Sequence, residues 1–140
     1  MSEELRSDFR GLDVWKKCRD IRIMIWKLCK NFPSEEKFRL ADQMIRASRS
    51  ATANIAEGHG RFHFQENIQF CRQSRGSLFE LIDHVLAAKE CEYIDDDEKE
   101  KLTEHVLSAI RLVNGYVKYL KTKIKNRTLS GTMDHGLTIL

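Results

Sequence analysis

The sequence predicts an all-α fold, an antiparallel up-down-up-down four-helix bundle, and three observations carry that prediction. No Gly or Pro interrupts the chain between Gly76 and Gly115, whereas a sheet protein of this size needs a turn signal about every 8 to 12 residues. Four stretches repeat apolar residues at spacings of three and four, the period of a helix with one buried face. The breaks between them are short, and short connections make consecutive helices antiparallel neighbours. At 140 residues, with 41% apolar and 32% charged, the chain has the size of one compact domain.

The first helix is expected over about residues 12–30, with Trp15, Cys18, Ile21, Ile25 and Leu28 on its inner stripe, and it stops at Asn31-Phe32-Pro33. The second is expected over 34–57. Ser34 is placed as its N-cap, Glu35 and Glu36 as its acidic first turn, and Pro33 with Phe38 as a hydrophobic staple. Its stripe of Phe38, Ala41, Ile45, Ser48, Thr52 and Ile55 is rich in small residues, which permits close helix approach, and Gly58 suits the position just past the end.

The third helix is expected over 63–91 with Phe64, Ile68, Cys71, Leu78, Leu81, Val85 and Ala88 inside. The fourth is expected over 96–125. Asp95, Asp96 and Asp97 give it a cap and an acidic start, and Leu102, Val106, Ile110, Val113, Val117, Leu120 and Ile124 keep the period. Residues 1–125 thus form the bundle domain. Residues 126–140 lose the period and gain two Gly, as expected of a flexible C-terminal tail.

A net charge of +3 does not by itself imply a nucleic-acid ligand, but the charges are segregated. Residues 118–127 contain Lys118, Lys121, Lys123, Lys125 and Arg127 and no acid; the first helix opens with Lys16, Lys17, Arg19 and Arg22 against Asp20; and Arg61 lies in the 58–63 connection. Bundle topology places these three clusters at one pole. Residues 90–104, with Glu90, Glu92, Asp95, Asp96, Asp97, Glu98, Glu100 and Glu104 against two lysines, occupy the other. Acids at a helix start and bases at its end complement the macrodipole by about 0.3 to 1 kcal/mol each, which accounts for the fourth helix. It does not account for lysines at the start of the first. The basic pole is therefore expected to neutralise nucleic-acid phosphates, RNA or DNA, with little sequence reading and a steep dependence on salt.

Two further features concern assembly. Around Ile21-Arg22-Ile23-Met24-Ile25-Trp26 apolar side chains surround most of the helix, so Ile23 and Trp26 are left outside one core stripe and a homo-oligomer is expected to cover them. Arg46, Ser50, Asn54 and Glu57 form a polar line on the second helix. Folding that helix against the third sets Arg46 level with Arg75, Gly76 and Ser77, with Glu80 one turn on. A buried polar network with an Arg46–Glu80 pair is expected, and a close approach at Gly76 to offset the roughly 1 kcal/mol cost of glycine in a helix.

These residues carry a resemblance. FPxxE at Phe32–Glu36, RAxxSxxANIAEG at Arg46–Gly58, GR at Gly60-Arg61 and GSLxEL at Gly76–Leu81 resemble the bacterial four-helix-bundle family named after a protein encoded in intervening sequences of large-subunit ribosomal RNA genes. The resemblance covers about residues 12–122. The stretch Gly60–His84 looks like the accessory variability determinant of diversity-generating retroelements within that family. This implies a barrel-shaped homopentamer with a basic surface, associating with nucleic acid and a reverse transcriptase. Arg46, Asn54, Glu57, Gly58, Arg61, Gly76, Ser77 and Glu80 match the family pattern, where they support fold and assembly rather than catalysis. Arg49, Asn67 and Gln73 stand where members usually have apolar residues, and Ala51 where Ile is common.

An enzyme is not expected. No Glu-x-x-His supplies a di-iron site, and no Arg precedes a His at the four-to-six-residue spacing of helical nuclease bundles. His59 and His63 flanking Arg61 read as loop and capping residues. Neither C-x-x-C-H nor a Gly-rich phosphate loop occurs, so no cofactor or metal is expected. Cys18, Cys29, Cys71 and Cys91 are widely spaced and read as reduced thiols. With no apolar run long enough to span a bilayer and no signal-like amino terminus, no membrane role and a cytoplasmic location are expected. The alternative function is a protein–protein adaptor with no nucleic-acid role.

Overall fold

A computed structural model describes residues 8–129. Four helices form, α1 (Asp13–Cys29), α2 (Leu40–His59), α3 (Phe64–Glu90) and α4 (Asp96–Leu129), with single 3-10 turns at Phe9–Gly11 and Ser34–Glu36. No strand is present among the described residues. Helix α2 packs on α1 and α3, and α4 on α3 and α1, so the four close around one core. Its centre is made by Ile21 and Ile25 of α1, Met44 and Ile55 of α2, Leu78, Leu81 and Val85 of α3, and Val106 and Val113 of α4. Full burial of each such side chain stabilises by about 1.5 to 3 kcal/mol.

The expected stripes of α1, α3 and α4 are the buried ones, apart from half-buried Trp15, Leu28 and Phe64. In α2 the expected Ala41, Ser48, Thr52 and Ile55 are buried, but the buried face is broader than that stripe. Met44, Ala47 and Ala51 are buried, Ile45 only in part, and Phe38 is 84% exposed, so no staple forms. Nor does Ser34 start a helix. Phe32 is buried against Tyr93, ring centroids 5.2 Å apart, and the Glu36 carboxylate lies close enough to the Tyr93 phenol to push its proton release up to about 12. These ties hold residues 34–36 in a 3-10 turn against the α3–α4 connection, and the α-helix begins only at Leu40.

Small residues do bring α2 close to α3. The Ser74 hydroxyl donates to the Ala51 carbonyl at 2.8 Å, a bond across the interface to backbone that a large side chain at 51 would obstruct. Gly58 lies inside α2 and not past its end; the helix runs to His59 and Gly60 closes it with ordinary right-handed φ. Asp95 caps α4, its carboxylate accepting from the Glu98 N–H at 2.8 Å. At its other end α4 continues through Asn126–Leu129, where a tail was expected. Arg127 stacks its guanidinium 4.7 Å above the Phe64 ring and the Thr128 hydroxyl donates to the Ile124 carbonyl, and both hold the last turn in place. The remainder of the expected tail, 130–140, lies outside the described residues.

Candidate nucleic-acid interface

Buried Val117, Leu120 and Ile124 fix the rotation of α4 and thereby turn Lys118, Lys121, Lys123 and Lys125 to solvent. None of the four meets a carboxylate among the described residues. Across from them, α3 contributes Arg72 and Gln65. With Lys121, Lys125 and Thr128 they rim an open groove of about 420 Å³ floored by Ile68 and Ile124. Arg72 is a residue that sequence reasoning missed: on α3 it is one cation among mixed polar residues, and only the α3–α4 register sets it opposite two lysines. That register is fixed by Arg75 donating to Asn114 at 2.7 Å and by Asn67 Nδ2 donating to the Tyr116 hydroxyl at 3.1 Å.

The structure does not bring the cations of α1 to this groove. Leu12 to Val14 face Arg111 to Tyr119, so α4 projects beyond the start of α1. Lys17 reaches back, its ammonium 2.8 Å from His105 Nδ1. His105 lies 16 residues before Lys121 on the same helix, about 24 Å at 1.5 Å per residue. Arg22 turns the other way and donates to the Thr52 hydroxyl at 3.0 Å. Arg19 pairs with Asp20 at 3.3 Å and lies over the Trp15 ring, as does Arg22. Lys16 is exposed. Arg61 lies at the α4 end but is already engaged, with Glu57 at 2.8 Å, Glu66 at 3.7 Å and the Phe70 ring beneath it. The three expected clusters thus reduce to the four α4 lysines, which meet no carboxylate among the described residues, extended by Arg72.

The polar line of α2 also departs from expectation. Ser50 meets Ser77 across the helices, hydroxyl to hydroxyl at 2.9 Å, six positions beyond the level expected for it, and Asn54 donates to the Ser50 carbonyl and hydroxyl. That much is a network, and it is half-buried. Arg46 is 77% exposed and turns to Asp42 at 3.7 Å, while Glu80 pairs with His84 at 3.1 Å. Partners one turn away on the same helix win over partners across an open groove, because i,i+4 side chains are already neighbours. Gly76 has no close neighbour; a Cβ there would meet nothing within 4 Å. Ile23 and Trp26 are about half exposed, as their position on α1 predicts.

Among the described residues no three His, Cys, Asp or Glu converge as metal ligands, and no helix is long and apolar enough to cross a membrane. Cys18, Cys29 and Cys71 are buried and Cys91 exposed, all unpaired.

Comparison with known proteins identifies one family. The profile described as 23S rRNA-intervening sequence protein matches residues 10–115. The chain is also similar in structure to a protein of unknown function from the S23 ribosomal protein family of Bacteroides thetaiotaomicron, with a TM-score of 0.70 and 22% identity over 75% of this chain and 95% of that one. At that identity the similarity establishes the fold alone. No functionally curated protein matches the chain.

Proposed function

The chain belongs to the 23S rRNA-intervening sequence protein family, and on that premise we propose that it is a non-enzymatic, homo-oligomeric scaffold that binds nucleic acid through the α3–α4 groove. The observation that carries this function is the strip Lys118, Lys121, Lys123 and Lys125, without carboxylate partners among the described residues, with Arg72 facing Lys121 and Lys125 across the groove. A helix C-terminus favours cations, but that effect needs no arginine from a neighbouring helix pointing into the same groove. Backbone phosphates satisfy the whole set, with affinity that falls log-linearly as salt rises.

The finer proposal is an antiparallel bundle assembled as a pentamer that serves a reverse transcriptase as accessory subunit in a diversity-generating retroelement. The pairings Lys89–Asp96 at one end of α3 and Phe64–Arg127 at the other support opposed directions for α3 and α4. Half-exposed Ile23, Trp26 and Phe79 support a covering partner copy. A second function, protein adaptor, is favoured by the open groove at Trp26, Phe32 and Phe38 rimmed by Lys30, Lys37 and Arg49.

The test titrates salt against labelled RNA, single-stranded DNA, duplex DNA and hybrid, with native mass recorded on the same sample. Lys121→Glu with Lys125→Glu should abolish binding and leave the mass unchanged. An intact oligomer that binds none of the four at low salt would reject the nucleic-acid function and leave the adaptor.

A further inference from the structure

The exposed face of α4 carries an aromatic ring that packing does not require. Tyr119 is 52% exposed and lies between Lys118 and Lys123 on the solvated strip. Behind it Tyr116 is nearly parallel, 15° between planes and 6.3 Å between centroids, and Tyr116 is itself held by the hydrogen bond from Asn67. The ring is therefore set by a fixed neighbour. Lys123 Nζ rests 5.3 Å from the Tyr119 centroid, but it is the end of a flexible chain that can leave for a phosphate.

Beside the ring is a place for something flat. Gly115, one turn before Tyr119, has open space where a side chain would be. With Leu112, Tyr116 and the Leu12–Val14 segment it lines a shallow slot of about 400 Å³. Duplex bases are stacked on one another and offer such a ring no face, whereas every unpaired base does, and aromatic platforms beside cationic tracks are the usual way of holding single strands.

We propose that the ligand of the basic α4 strip is single-stranded, its phosphates crossing the exposed face of α4 from Lys121 and Lys125 over Lys118 to Lys123, with one unpaired base stacked on Tyr119 over Gly115. This rests on the nucleic-acid function above and narrows it to a strand class.

The test compares a labelled oligouridylate and oligothymidylate with a blunt duplex of equal length, using the full chain at low salt. The single strands should bind more tightly than the duplex. Tyr119→Ala should weaken them by about 5- to 150-fold with no change in the salt slope, since no charge is lost, and without effect on the duplex. Tyr119→Phe, which keeps the ring and drops the hydroxyl, should bind as the parent does. Circular dichroism on each variant checks the fold, and Tyr119→Phe reports the ring's role if Tyr119→Ala loses helix. Salt-dependent binding that ignores strandedness, or single-strand binding indifferent to Tyr119→Ala, overturns the proposal and leaves the nucleic-acid function standing. Absence of binding to every probe overturns both.

Discussion

Gly58 and Asn67 touch so closely that a Cβ built on the glycine would lie 2.7 Å from the asparagine Oδ1, and 2.9 Å from the Phe70 Cβ. Neither neighbour can yield. Asn67 is held by its bond to Tyr116 and accepts from the Cys71 thiol, and the Phe70 Cβ is fixed to the backbone of α3. Gly58→Ala gains about 1 kcal/mol of helix propensity but forces the two helices apart, and overpacking costs about 1 to 3 kcal/mol. The net expected outcome is a destabilised protein, read as a lower urea midpoint with unchanged slope.

Gly76→Ala should move the other way. Gly76 lies in mid-α3, exposed, with nothing near its Cβ direction, so only the propensity gain operates, about 0.5 to 1 kcal/mol. The two glycine variants, measured in the same urea titration, should straddle the parent. A fall in native mass for Gly76→Ala alone would place that face in the oligomer contact.

The contrast shows what the sequence could disclose. Apolar period alone located α1, α3 and α4, because Leu102 to Ile124 or Ile68 to Ala88 can be buried on only one face. In α2 it located Ala41, Ser48, Thr52 and Ile55 but missed Met44, Ala47 and Ala51, because Ala, Ser and Thr occupy several faces with nearly equal cost and no pattern says how wide the inside is. The start of α2 was hidden because Phe32–Tyr93 and Glu36–Tyr93 are contacts between segments some 60 residues apart, and they override a good local N-cap. In the candidate site the lysine strip was legible, with Arg127, as five cations without an acid over residues 118–127. Arg72 and the exclusion of Lys17 and Arg22 were not, since both depend on the register and rotation of neighbouring helices.

Removing Arg46 should cost little. Its guanidinium is exposed and its one ion pair among the described residues is with Asp42 at 3.7 Å, so Arg46→Ala in the protomer should shift stability by less than about 1 kcal/mol. Ser50→Ala and Ser77→Ala break the half-buried 2.9 Å bond, worth about 0.5 to 1.5 kcal/mol. The double variant should cost less than the sum of the two singles, as a double-mutant cycle in urea would measure. Additive effects would mean the hydroxyl pair contributes no coupling.

The thiols give a signature in alkali. Burial pushes Cys18 up to about 12, and Cys29 and Cys71 up to about 11, from an ordinary 9.0, because the thiolate is disfavoured in the core. In the unfolded chain these groups release protons near 9, so above that pH the unfolded state gains what the folded state is denied. Stability from this source is complete below about pH 9 and declines as pH rises towards 11 to 12. At neutral pH the same burial bars maleimide from three cysteines, leaving exposed Cys91 to react. One thiol should label quickly in the native protein and four in denaturant, and the three slow ones should speed up together above pH 9. Rapid native labelling of a second cysteine would contradict the packing of α1 and α3 against α2 and α4.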